Sequence, residues 1–214
     1  MSIITRIRAG SNDPTRCNLY VDDQFYMAIP AEGVVSYGLK VGQEISDDLL
    51  EELAQYDQYQ RAMRKAMDYL SRRPYCVQEL TRKLAEKDFD RDTAQQVCEA
   101  LAERGYIDEE AVAQQFYEHL RAKGFGPLRI GQELQKRGIP RHLVQQVLEQ
   151  AQEEDREADI RAIIEKKLRF APVRDEKLRR RVMDQLSRSG YRYSEVSHLV
   201  AEYFDGFEDE GEEL

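Results

Sequence analysis

The hydrophobic positions between residues 59 and 204 repeat. Leu80, Leu84, Phe89, Ala94, Val97 and Leu101 are spaced 4, 5, 5, 3 and 4 residues apart. Ile130, Leu134, Ile139, Val144, Val147 and Ala151 follow the same spacings, as do Val182, Leu186, Tyr191, Val196, Leu199 and Tyr203. The copies are offset by 50 and 52 residues. The opening step of 4 is one helical turn, and the closing 3 and 4 lie on one face of a second helix. Between them the period breaks around Lys87-Asp88, Arg137-Gly138 and Ser189-Gly190. Each copy therefore predicts a helix, a tight turn plugged by Phe89, Ile139 or Tyr191, and another helix. Gly138 and Gly190 stand where a helix end favours a left-handed residue, and Asp88 takes that place in the first copy.

An amphipathic helix precedes each pair. The first carries Ala62, Met63, Ala66, Met67 and Leu70; the second Val112, Ala113, Phe116 and Leu120; the third Ile160, Ile163, Ile164 and Leu168. Each ends ahead of a proline, at Pro74, Pro127 and Pro172, which cannot continue a helix but suits the first turn of the next. The expectation is three tandem three-helix repeats over 59–108, 109–152 and 153–204, stacked as an elongated curved array because units of this size bury little core alone.

Residues 1–58 follow another pattern. Ile3, Ile4, Ile7, Cys17, Leu19 and Val21 alternate roughly with polar residues, Asp22-Asp23 signals a turn, and Phe25, Met27 and Ile29 alternate after it. A hairpin or three-stranded sheet over 2–29 is expected, ended by Pro30 and followed by a short helix within 31–38. Ser46-Asp47 caps a helix with Leu49, Leu50 and Leu53 as its apolar stripe. No Gly or Pro then intervenes before Pro74, so that helix can run on into the first repeat. The fold is mainly α with a small β-containing extension.

Charge changes the picture only when it is resolved along the chain. The net charge is −9, but residues 1–58 and the tail 205–214 carry −6 each, and 59–108, 109–150 and 151–204 carry +1 each. The tail is acidic and core-poor, and disorder is expected there. Three cysteines without a CxxC fit free thiols in a reducing cytoplasm. No apolar run is long enough for a membrane span, and no secretory signal opens the chain. His119, His142 and His198 form no metal-ligand pair, and the carboxylates intersperse with Lys and Arg at helical spacing as a solvated face. Gly124-Phe125-Gly126-Pro127 lacks the geometry of a phosphate loop and reads as a helix-breaking joint. No catalytic residue, metal or cofactor is assigned.

The basic groups are the remaining signal. They form three clusters: Arg72, Arg73, Arg82, Lys83 and Lys87; Arg121, Lys123, Arg129, Lys136 and Arg137; and Lys166, Lys167 and Arg169 with Lys177, Arg179, Arg180 and Arg181. Each falls at the end of the first helix or in the second helix of its copy. A stripe binding a phosphate backbone and a merely solvated charged surface are both open on this pattern. The run Arg179-Arg180-Arg181 is the least balanced, with only Asp184 close on its C-terminal side.

The segment RAKGFGPLRIGQELQKRGI over 121–139 resembles the central motif of the RecX family, as do YLSRRP over 69–74 with ELTRKL over 79–84, and GYIDE over 105–109. The resemblance spans about residues 60–204 and is looser in the third repeat. It implies three tandem three-helix repeats and no enzyme activity. It further implies a monomeric cytoplasmic regulator that docks in the groove of the RecA recombinase filament and inhibits filament growth, ATP hydrolysis and strand exchange. Single-stranded DNA would be met directly or through RecA. Two other readings stay open: a direct DNA-binding module, whose Gln95, Gln96, Gln145 and Gln146 offer base-reading groups, and a non-catalytic scaffold.

Overall fold

The computed structural model describes residues 2–11, 13–150, 153–171 and 174–204, with the backbone alone at 153 and 154. The chain forms two compact units that divide between Ile107 and Asp108.

The first unit opens with β1 (Ser2–Ala9), β2 (Arg16–Val21) and β3 (Gln24–Pro30), an antiparallel meander. Asp22 and Asp23 join β2 to β3, both at positive φ (49° and 65°), as a two-residue hairpin matched to strand twist requires. After a helix α1 (Ala31–Ser36), a two-residue strand β4 (Glu44–Ile45) pairs with β1, giving the order β3-β2-β1-β4. The sheet thus has a fourth strand that the expectation over 2–29 lacks, because two residues are too few to leave an alternation. Register shifts near Thr5 and Tyr26 keep the apolar set on one face. Ile4, Leu19, Val21 and Ile29 point inward and close on Leu39, Ile45, Leu50 and Leu53.

Helix α2 (Asp47–Leu70) supplies the last two of these. Its N-cap is Ser46, whose hydroxyl accepts from the Leu49 N–H at 3.2 Å. It is 24 residues long and runs straight through residue 58. A boundary at 58/59 therefore cuts a helix: with no Gly or Pro in the way, its first half covers the sheet and its second half enters the first helical bundle. There Ala62 and Ala66 pack with α3 (Val77–Ala85) and α4 (Arg91–Glu103) through Leu80, Leu84, Ala94, Val97, Cys98 and Leu101. Midway along α2, Asp57 accepts from Arg16 of β2 at 2.6 Å, with both side chains largely buried. Burial pushes the Cys98 thiol up to about 11, and none of the three cysteines is in a disulfide. At pH 8 the thiolate fraction at Cys98 is about one in a thousand. A maleimide at pH 8 should therefore leave Cys98 unmodified in the folded protein and label it in urea, as peptide mass mapping would read.

The second unit holds α5 (Glu109–Ala122), α6 (Pro127–Arg137), α7 (Arg141–Glu149), α8 (Glu153–Leu168), α9 (Glu176–Ser189) and α10 (Tyr193–Phe204). Asp108 caps α5 and Asp175 caps α9. Pro127 occupies the first turn of α6, whereas Pro74 sits ahead of α3 rather than inside it. Pro172 and the tail 205–214 lie outside the described residues. Of the eighteen template positions only Ala151 is not described. Fifteen of the others are buried, and Phe89 and Tyr203 pack partly buried against their cores. Gly138 and Gly190 adopt φ of 101° and 93°, and Asp88 takes φ 62° in their place.

Backbone joins the two three-helix groups of this unit. The Gly126 N–H donates to the Ser189 carbonyl at 2.7 Å, and the Leu128 N–H donates to the Gly190 carbonyl at 3.1 Å. The Gly-Phe-Gly-Pro stretch is thus a joint in a stronger sense than a helix break: it docks the start of α6 onto the turn between α9 and α10.

Candidate interaction surface

Four of the seventeen basic residues in these clusters hold the fold together. Arg73 pairs with the buried Glu79 at 2.7 Å and lies 3.8 Å from the centre of the Tyr75 ring. Hydrogen bonding to Glu79 holds its guanidinium above the usual range. Arg121, at the end of α5, donates to Asp159 of α8 at 2.6 Å and meets Asp155 at 3.2 Å. Hydrogen bonding to Asp159, ahead of that carboxylate's charge, raises its guanidinium likewise. Arg129 lies 3.9 Å from the Phe125 ring centre and donates to the Arg188 carbonyl at 3.2 Å. Arg137 covers the Phe116 ring at 3.4 Å. These groups present cationic edges, but their positions are set by packing.

The others are more accessible. Arg72 reaches Asp68 at 3.0 Å and Lys83 reaches Glu86 at 2.9 Å, one turn away in each case. Such exposed pairs contribute little and yield readily to a stronger anion. Hydrogen bonding from Lys83, then its charge and those of Arg82 and Lys87, lowers the Glu86 carboxyl. These four cations and Arg73 belong to the first unit. Lys123, Lys136, Lys177, Arg179, Arg180 and Arg181 are exposed in the second. The Arg179-Arg180-Arg181 run is better balanced than its C-terminal neighbours suggest. Glu176, one turn earlier on α9, lies 3.4 Å from both Arg179 and Arg180.

The second and third clusters converge. Arg121 and Lys123 from the end of α5 line a groove of about 530 Å³ together with Lys166 and Lys167 of α8. Its only acid among the described lining residues is Asp159, already engaged by Arg121. Phe170, 83% exposed, stands at its edge. A second groove of about 490 Å³ lies between α9 and α10, where Arg179 and Arg180 meet Tyr191 and the exposed Tyr193. Phe170 and Tyr193 escaped the sequence reading. Their one signal is an aromatic residue outside the apolar period, next to a helix end.

Among the described residues no group of three or more His, Cys, Asp and Glu could hold a metal ion. Among them, too, no helix is long and apolar enough to cross a membrane. A small β-sheet in the first unit and tandem three-helix groups, with cationic grooves on the helices, define a helical-repeat protein.

The chain belongs to the RecX family. Residues 2–46 match the regulatory protein RecX N-terminal domain, 62–101 the RecX first three-helix domain, and 108–148 the RecX second three-helix domain. The regulatory protein RecX of Bacillus pumilus is 26% identical over all of this chain and 82% of its own length. That of Clostridioides difficile is 28% identical over 94% of this chain and 95% of its own. Two solved structures share the fold. A crystal structure of regulatory protein RecX aligns with a TM-score of 0.74 at 22% identity, covering 92% of this chain and 98% of that one. RecX from Lactobacillus salivarius aligns at 0.62 and 18% identity, covering 70% and 97%.

Proposed function

We propose that this protein is a cytoplasmic, monomeric regulator of the RecA recombinase. It binds the RecA–DNA filament and restrains filament growth, ATP hydrolysis and strand exchange. The observation that carries this reading, beside family membership, is the groove formed by Arg121, Lys123, Lys166 and Lys167. Four cations from two three-helix groups surround one acid that is already paired. That excess suits a phosphate backbone or an acidic protein surface. Repetition suits a polymeric partner, since several weak contacts on successive protomers add through effective concentration.

The test is single-stranded-DNA-dependent ATP hydrolysis by the cognate RecA, titrated with this protein. Inhibition well below one molecule per RecA is expected, under conditions where the protein alone binds the DNA weakly. No inhibition at excess would remove the reading. Two variants locate the contact: Arg179, Arg180 and Arg181 all to Gln, and Lys123, Lys166 and Lys167 all to Gln. Each should weaken inhibition and flatten its salt dependence, because each deletes three exposed cations and no buried pair. Unchanged inhibition by both would move the contact elsewhere.

A base-reading module is the weaker alternative. Gln95, on a helix that follows a turn, accepts from Thr81 at 3.2 Å and donates to Glu99 at 2.7 Å, which leaves it poorly placed to read a base.

A further inference from the structure

The sheet of the first unit has an outward face, opposite the side on which Ile4, Leu19, Val21 and Ile29 enter the core. The three strands β1–β3 carry Arg6, Arg8 and Arg16 and not one Asp or Glu, although residues 1–58 are acidic as a whole. Strand register assembles a row on that face. Arg6 stands opposite Tyr20, and Tyr20 opposite Phe25; beside them Arg8 stands opposite Asn18, and Asn18 opposite Ala28. The Tyr20 and Phe25 rings meet edge to face with centres 5.8 Å apart, and the Arg6 guanidinium lies 5.1 Å from the Tyr20 ring centre. Phe25 is 59% exposed and Tyr26, the extra residue of the bulge, 50%. An aromatic pair this open on a strand is poor packing but a good platform.

Helix α2 completes the arrangement. It brings Arg61 and Arg64 beside Phe25, Met27 and Ala28, around a groove of about 490 Å³. Their side chains are 59% and 61% exposed. Their contacts with Asp57 (3.8 Å) and Asp13 (3.7 Å) are long, and Asp57 is already held by Arg16 at 2.6 Å. Two exposed guanidinia, that of Arg61 also 5.9 Å from the Phe89 ring centre, thus line one groove with an exposed phenyl ring. Asp22 and Asp23 lie at the hairpin end of the face, and the one acid among the described residues lining the groove is Asp57, already held by Arg16.

We propose that this face binds single-stranded nucleic acid, with Phe25 as the stacking platform and Arg61 and Arg64 as phosphate ligands. Unpaired bases offer flat π-faces that a duplex conceals, and every nucleotide brings a phosphate, so one strand matches both features together. An acidic peptide would match the arginines and leave the rings without a partner.

The test uses the full chain, no RecA, and fluorescently labelled dT12 beside an abasic oligomer of equal length. It therefore stands apart from filament regulation. Phe25→Ala should weaken dT12 binding on the order of tenfold, the loss of one stacked base, and leave abasic binding unchanged. Arg61→Gln with Arg64→Gln should lower the salt slope by about 1.4, two phosphate contacts on a single strand. The chain has no tryptophan, so Phe25→Trp places a single indole at the site, and dT12 should quench it while the abasic oligomer does not. All these positions are exposed, and circular dichroism verifies the fold. Wild-type affinity in Phe25→Ala, or an indole unaffected by dT12, would overturn the proposal. Quenching by poly-glutamate equal to that by dT12 would overturn it in favour of an acidic protein partner.

Discussion

Gly126→Ala should destabilise the second unit by about 2–4 kcal/mol and uncouple its two three-helix groups. The backbone of Gly126 is ordinary, with φ of −82°, so alanine meets no conformational penalty there. The cost is steric. A Cβ at this position would lie 2.7 Å from the carbonyl carbon and oxygen of Gly190 and 2.8 Å from the Tyr191 ring. The first two are backbone and cannot rotate away. Relief requires the turns to separate, and separation breaks the bonds from Gly126 to Ser189 and from Leu128 to Gly190. Buried groups left without partners make such a loss larger than the bonds themselves. The control is Gly124→Ala. Its φ is +80°, but its nearest neighbour is the end of Ile163 at 3.6 Å. That variant should lose only the 1–2 kcal/mol or so of a left-handed alanine. Urea unfolding followed by circular dichroism at 222 nm measures both. Equal losses for the two variants would mean that the joint contributes nothing beyond backbone preference.

Asp57→Ala should cost about 3 kcal/mol and act on the first unit alone. Removing this carboxylate leaves the Arg16 guanidinium, whose side chain is 16% exposed, with the Ala28 carbonyl as its remaining partner in the pair's site. A cation so placed is neither hydrated nor neutralised, which is why deleting one partner of a buried pair costs more than the pair itself stabilises. Because α2 spans sheet and bundle, the loss should lower protection of strand amides and of the second half of α2 together, as hydrogen exchange would show. The double replacement of Arg16 by Met and Asp57 by Leu should return to within about 1 kcal/mol of the native chain. If the double variant is as unstable as the single one, the pair supplies geometry that apolar packing cannot replace.

The helical repeats were legible from the start. A spacing of 4, 5, 5, 3 and 4 is imposed by helix geometry and a tight turn, which are local properties written into neighbouring residues. The same holds for the Ser46 cap, the Asp22-Asp23 hairpin and the left-handed Gly138, Gly190 and Asp88. The residues that resemble the RecX family are also local runs, and they led to the family that the whole chain then matched.

The use made of each arginine was not legible. Arg121 and Lys123 look alike in sequence, yet one is tied to Asp159, 38 residues away, and the other is exposed. Arg16 reads as one more charge on a strand until Asp57, 41 residues on, is brought beside it by α2. Gly126 reads as a helix breaker until Gly190 arrives against it. The convergence of Lys123 with Lys166 and Lys167, and of Phe25 with Arg61 and Arg64, is of the same kind. The sequence by itself determined the elements, their caps and the core positions, because burial along a helix or strand recurs with a fixed period. Only the tertiary structure decided which charges are engaged and which are free, because an ion pair between distant segments leaves no period in either of them.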